Sequence, residues 1–147
     1  MILCDNSHQM YRKPNNQQKY KASKRKQSLC PFCHIDDGLL VREFKHFRII
    51  LNKFPYDFWD LRSVEEHLMV LPLRHLQDFG EFSLEEIKEF MEIIQEYSAL
   101  GYDSFTRSPH STLRSQTHIH THLIKTTGKE IKKISYDVAT DFLEYES

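Results

Sequence analysis

From residue 30 onward the apolar residues fall into short blocks with two different periods, and those periods predict the elements. Leu39-Leu40-Val41-Arg42-Glu43-Phe44 and Phe47-Arg48-Ile49-Ile50-Leu51 are β-rich runs parted only by Lys45-His46, which predicts a hairpin. His67-Leu68-Met69-Val70-Leu71 predicts a third strand, stopped by Pro72 because proline has no amide hydrogen to donate. Ser83-Leu84-Glu85-Glu86 has the form of a helix capping box. Leu84, Ile87, Phe90, Met91, Ile94 and Tyr97 then recur at helical spacing up to Gly101, which predicts one long helix. Residues 102 to 106 and 117 to 125 predict two more strands on either side of a polar loop. The order strands, helix, strands favours an α+β domain: an antiparallel sheet of about five strands with one long helix and a short helical turn.

The two ends lack this patterning. Residues 1 to 29 are rich in Asn, Gln and Lys and nearly free of aliphatics, so unless they dock elsewhere they cannot bury enough surface to offset their ordering entropy. They are expected to form a basic polar tail, with a domain over residues 30 to 128 and a weakly patterned extension over 129 to 147. The formal charge of −1 conceals a local excess: residues 12 to 26 hold Arg12, Lys13, Lys19, Lys21, Lys24, Arg25 and Lys26 without an acid. Such an arm suits either a solvated tail or a tracker of nucleic-acid phosphates. Hydrophobic content of 39% and 28% charged residues lie in the globular range. No apolar run nears the roughly 18 residues of a membrane span, and the start has no secretory pattern. A soluble cytoplasmic protein, or a nuclear one, is expected, without membrane partners.

His118-Ile119-His120-Thr121-His122-Leu123-Ile124 is the segment richest in chemistry. On a strand, alternation puts three imidazoles on one face and Ile119, Thr121 and Leu123 on the other. Neighbouring rings can then fix one another's tautomers, as a nucleophilic histidine requires, and a neutral ring nitrogen can attack phosphorus. A surface chelate, a structural metal site made of these rings alone and a fortuitous cluster remain as alternatives. Three cysteines do not make a disulfide framework. The pair in Cys30-Pro31-Phe32-Cys33 points instead to metal or redox chemistry or to two buried thiols, with Cys4 left over.

With the histidine row, His67-Leu68-Met69-Val70-Leu71-Pro72-Leu73-Arg74-His75 before the helix, and Leu51-Asn52-Lys53-Phe54-Pro55-Tyr56, residues 30 to 125 resemble the histidine triad superfamily of nucleotide hydrolases and transferases. The resemblance implies that His120 is the nucleophile, that His122 positions the transferred phosphate and that His67 belongs to the supporting network. It also implies that Ser115 assists phosphate or leaving-group contacts and that Asn52 grips the nucleoside. An ordinary loop hydroxyl is the other reading of Ser115. The family's Gly-rich loop before the triad is replaced here by residues 107 to 115, where Arg107 and Arg114 could supply charged forks for phosphate oxygens. Thr121 stands where an apolar residue is usual, and Phe58, Trp59 and Leu61 belong to an insertion able to reshape the base pocket.

Zinc-containing relatives, the hexose-phosphate uridylyltransferases among them, imply that Cys30 and Cys33 are joined by His75 and His118 in a closed, structural Zn(II) site. His34 follows Cys33 too closely for the usual geometry. The resulting expectation is an enzyme acting on the α-phosphate of a nucleotide conjugate through a nucleotidyl-histidine, a homodimer as in relatives. The competing classes are a nucleic-acid-binding or DNA-end-processing protein using the basic arm, and a zinc-stabilised nucleotide-binding module without turnover.

Overall fold

The computed structural model describes residues 11–24, 29–137 and 142–147. Cys4, Arg25 and Lys26 lie outside them. In chain order the elements are α1 (Pro14–Lys24), β1 (Leu40–Glu43), β2 (Phe47–Leu51), β3 (Phe58–Trp59), β4 (Arg62–Pro72), α2 (Leu84–Ala99), β5 (Asp103–Thr106), β6 (Thr121–Glu130), β7 (Lys133–Asp137) and β8 (Phe142–Glu146), with 3-10 turns at Asp37–Leu39 and Phe79–Glu81. The main sheet runs β1-β2-β4-β6-β5, with β3 paired to β4 and every pairing antiparallel. The expected α+β architecture is present.

Strand periodicity divides the sheet into two working faces. Phe47, Ile49, Leu68, Val70 and Leu123 point to one face, where Ile93 and Tyr97 of α2 cover them. Each fully buried aliphatic there contributes about 1.5–3 kcal/mol. Ile50, Met69 and Leu71 point to the other face and meet Phe32, Ile35 and Leu39 from the segment before β1. That second face carries the histidines.

Helix α2 starts where Ser83 Oγ accepts the Glu86 amide at 3.2 Å. Glu86 departs from the capping-box expectation: buried, it accepts from Arg74 Nε at 2.9 Å and so ties the helix start to the chain leaving β4. The helix gives way at Gly101, whose φ of 90° suits a residue without a Cβ.

Several boundaries move from expectation. The third strand begins at Arg62 rather than His67, because the polar stretch Arg62–Glu66 pairs with the far part of β6. The last strand begins at Thr121, four residues later than expected. His118 and His120 lie on the extended chain before it, where the Ile119 amide donates to the Leu76 carbonyl. Phe58 and Trp59 form a tight hairpin with β4 through Asp60 and Leu61, both at positive φ. Phe58 packs with Ile131 and Leu143, so the weakly patterned end is in fact a second, two-stranded sheet of β7 and β8.

Within the stretch read as a polar tail, residues 14 to 24 form α1, and they do dock. The Tyr11 carbonyl accepts the amides of Asp57 at 2.6 Å and Phe58 at 2.9 Å. The Asp57 carboxylate accepts the Lys13 amide at 2.6 Å and both its oxygens take Asn16 Nδ2, at 3.0 and 2.9 Å. No helix among the described residues is long and apolar enough to cross a membrane.

Candidate functional site

Two clusters sit side by side where the chain enters β6. The first is the histidine row. His120 Nδ1 lies 3.0 Å from the His118 carbonyl, which can only accept, so the proton sits on Nδ1 and Nε2 keeps its lone pair. Burial, reinforced by the nearby Arg114 and Arg107 charges against the opposing pull of that carbonyl, pushes the His120 pKa down to about 4. The ring is therefore neutral near pH 7.

His122 obtains its tautomer from further away. The Tyr56 amide donates to His67 Nδ1 at 3.0 Å, which leaves the His67 proton on Nε2, and that proton goes to His122 Nδ1 at 2.8 Å. His122 must then hold its own proton on Nε2, as a donor. His67 and His122 share a face because β4 and β6 pair Met69 with His122 and place His67 one diagonal step away. Asn52 completes this corner, its Nδ2 lying 3.3 Å from His67 Nε2 and its Oδ1 taking the Phe54 amide at 2.8 Å.

Aromatic rings clamp His122. Phe105, its cross-strand partner, stacks on it at 4.4 Å and 9°, and Tyr56 stacks at 5.6 Å and 19°. Trp59 lies against Phe105 at 4.9 Å and 6°. Burial raises the Tyr56 phenol, against the pull of Arg12 and Arg107. Thr121, where an apolar side chain was expected, pairs its hydroxyl with that of Thr106 at 2.6 Å.

These groups open on a cleft of about 280 Å³. His120, His122, Ser115 and Asn52 line it, which brings four of the expected site residues to one space. His67 stands behind His122. Arg107 and Arg114 are not among the lining residues: Arg107 lies over the Phe105 ring at 5.4 Å, while Arg114 donates to the carbonyls of Gln116 and Thr117.

The second cluster is Cys30, Cys33, His75 and His118, whose four candidate ligand atoms lie within 4.8 Å of one another and could hold a metal ion. Cys33 Sγ is 3.2 Å from His75 Nδ1 and 3.5 Å from His118 Nδ1, and Cys30 Sγ is 3.7 Å from His118 Nδ1. The Pro72 carbonyl takes His118 Nε2 at 3.0 Å, which fixes the proton there and turns Nδ1 toward the sulfurs. Burial lowers the His118 pKa to about 4, so this ring too is neutral.

Sequence reasoning missed the cleft wall formed by Arg12, Tyr20, Ser23 and Lys24. The available signal was Tyr11 and Tyr20, the sole aromatic rings in an otherwise polar arm. It also missed Phe105 as a clamp, because a lone Phe in a short strand reads as ordinary core.

No known family profile and no curated protein matches the chain. Solved structures do. A histidine triad nucleotide-binding protein of Sulfolobus tokodaii is 24% identical, with 69% of this chain and 71% of that one covered at a TM-score of 0.53. A HIT family protein from Bacillus anthracis is 19% identical, with 78% and 86% covered at 0.53. A HIT family hydrolase from Clostridium thermocellum is 16% identical, with 69% and 94% covered at 0.52. The likeness is one of fold.

Proposed function

Starting from the histidine triad fold that this chain carries, we propose that it is a nucleotide-binding hydrolase or transferase that works through a nucleotidyl-histidine on His120. One observation carries the reading: a neutral imidazole, its Nδ1 proton held by the His118 carbonyl, lines the cleft with the Nε2 lone pair available. Nε2 attacks the α-phosphorus in line, forming the N–P bond as the bond to the leaving group breaks with its electron pair. Water or phosphate then attacks the same phosphorus, and the N–P electrons return to Nε2.

His122, protonated on Nε2 by the Tyr56–His67 relay, donates to the phosphoryl oxygens, and Ser115 donates beside it. Asn52 holds the nucleoside, and Phe32, Ile35 and Met69 offer an apolar surface to the base. Arg107 and Arg114 add positive potential from outside the cleft wall.

The neighbouring cluster fits structural zinc. A tetrahedral ion with bonds of roughly 2.3 Å to sulfur and 2.0 Å to nitrogen has sulfur–nitrogen edges of about 3.5 Å. The separations of 3.2, 3.5 and 3.7 Å bracket that value. Two thiolates and two imidazoles would fill its shell, so the ion's contribution is to hold His118, and with it the carbonyl that orients His120.

The test is His120→Asn in the full chain, assayed with nucleoside phosphoramidates, dinucleoside polyphosphates and nucleotide sugars. Wild type is expected to turn over at least one of these and to show a nucleotidyl adduct by intact mass. The variant should keep its fold and metal but lose roughly a thousandfold or more in turnover. Normal turnover by the variant, or an adduct mapped to His118 or His122, overturns the mechanism.

A further inference from the structure

Arg48 is a cation that neither the chemistry on His120 nor the metal shell uses. In β2, Phe47 and Ile49 face α2, so alternation turns Arg48 with Ile50 to the side that carries the histidines. Arg48 is half-buried there and lies opposite Leu71 of β4. Its Nη2 donates to the Phe32 carbonyl at 3.2 Å, whereas its Nε is buried with no hydrogen-bond partner among the described residues. The Arg48 charge acts on both Cys33 and His118, which places the guanidinium beside the metal cluster.

Phe32 is the residue that Arg48 holds. It sits between the two cysteines, in a turn closed by the Cys33 amide on the Cys30 carbonyl at 3.3 Å. Its side chain packs on Ile50, Met69 and Leu71, and its ring centre lies 4.9 Å from that of His120 and 6.0 Å from that of His118. The ends of the turn therefore present the sulfurs, and its middle covers the ring of the nucleophile. The Arg48 bond ties the backbone of that middle to the sheet. A group that fixes the turn fixes where the sulfurs stand relative to the imidazoles, and outer-sphere partners of this kind are worth about ten- to a hundredfold in metal affinity.

We propose that Arg48 is a positioning residue for the metal cluster, holding the turn from Cys30 to Cys33 through the Phe32 carbonyl so that the two sulfurs meet His75 and His118 in ligand geometry. This rests on the zinc reading above. A zinc ion shared by two thiolates and two neutral imidazoles has no net charge, so a neighbouring guanidinium is not set against it. The same bond keeps the Phe32 ring on His120 and gives the cluster a second line to the nucleophile, beside the His118 carbonyl. The unmatched Nε sharpens the assignment, because a buried donor left unmet costs stability and makes arginine a poor choice for the sheet alone.

Two measurements on the full chain test this together: zinc affinity, by competition with a chromogenic chelator, and melting of the metal-free protein. Arg48→Met keeps a stem of similar width but removes every N–H. It is expected to weaken zinc binding about ten- to a hundredfold. The metal-free variant should nevertheless melt within a few degrees of metal-free wild type, since the unmatched donor leaves with the guanidinium. The contact to Phe32 is a single N–H on a carbonyl and not a fork on a carboxylate, so lysine can make it, and Arg48→Lys should recover most of the lost affinity. Undiminished zinc affinity in Arg48→Met, a metal-free Arg48→Met protein destabilised as much as the zinc-loaded one, or an Arg48→Lys protein that binds zinc no better than Arg48→Met overturns the role of Arg48 and leaves the zinc site standing. Wild type that binds no zinc overturns both.

Discussion

His122 is gripped on its flat faces and at one nitrogen, which is more constraint than hydrogen bonding alone would give it. The ring is stacked by Phe105 and Tyr56 and bonded at Nδ1 by His67. In the role proposed for it, as donor to a phosphoryl oxygen, His122 would gain from such preorganisation, since a displacement of about 1 Å can cost as much as a hundredfold in rate. Phe105→Leu keeps apolar volume but removes the flat surface. The variant should lose roughly ten- to a hundredfold in kcat while its melting temperature falls by only a few degrees, since volume-conserving exchanges usually cost less than about 1.5 kcal/mol. Thermal denaturation and steady-state kinetics together check this. An unchanged kcat would show that the hydrogen bond to His67 suffices. The spacing His118-x-His120-x-His122 was legible as a row, but the tautomers were not. They depend on a carbonyl at His118 and an amide at Tyr56, backbone groups that every residue possesses and no sequence distinguishes.

At the scale of elements, β2 and α2 follow the period of their apolar residues, and these were the most readable parts. What escaped was held by other means. Helix α1 has no apolar stripe: among the described residues its hold includes the Asp57 carboxylate, the Arg12 bond to the Phe54 carbonyl, two backbone bonds to Tyr11 and the Tyr20–Phe54 contact, each joining positions more than thirty residues apart. The pair β7 and β8 hangs on Phe58, Ile131 and Leu143, which are far apart in sequence and meet only through the β3–β4 hairpin. Strand β4 is longer than its apolar run because Arg62 to Glu66 are ordered by pairing rather than burial. Asp57→Ala therefore tests the docking of α1 specifically. Losing its acceptor bonds, each worth up to about 1.5–3 kcal/mol when charged, should raise local opening of the arm tenfold or more. Limited trypsin digestion should then cut after Lys19, Lys21 or Lys24 much faster, while residues 30 onward stay resistant. Equal cleavage rates in variant and wild type would mean that Arg12, the Tyr11 carbonyl and the Tyr20–Phe54 contact retain the helix without the carboxylate.

For the molecule as a whole, the cluster of Cys30, Cys33, His75 and His118 gathers three distant stretches of chain at one point. Zinc bound there would contribute folding free energy directly, because the unfolded chain has no such site. Purified protein is expected to carry about one zinc per chain by elemental analysis. Chelation should lower the melting temperature by roughly 10 °C or more, at a few degrees per kcal/mol for a chain of this size. Cys30→Ser with Cys33→Ser should reproduce the loss. Metal-free protein as stable as the untreated sample would remove the site from the account. The β3–β4 hairpin has a different consequence. It places the chain's single tryptophan, Trp59, flat against Phe105, which itself lies on His122. Indole emission from this molecule arises one ring away from the histidine row, so the protein carries an optical label at its own cleft and its intrinsic fluorescence reads that site without an added dye.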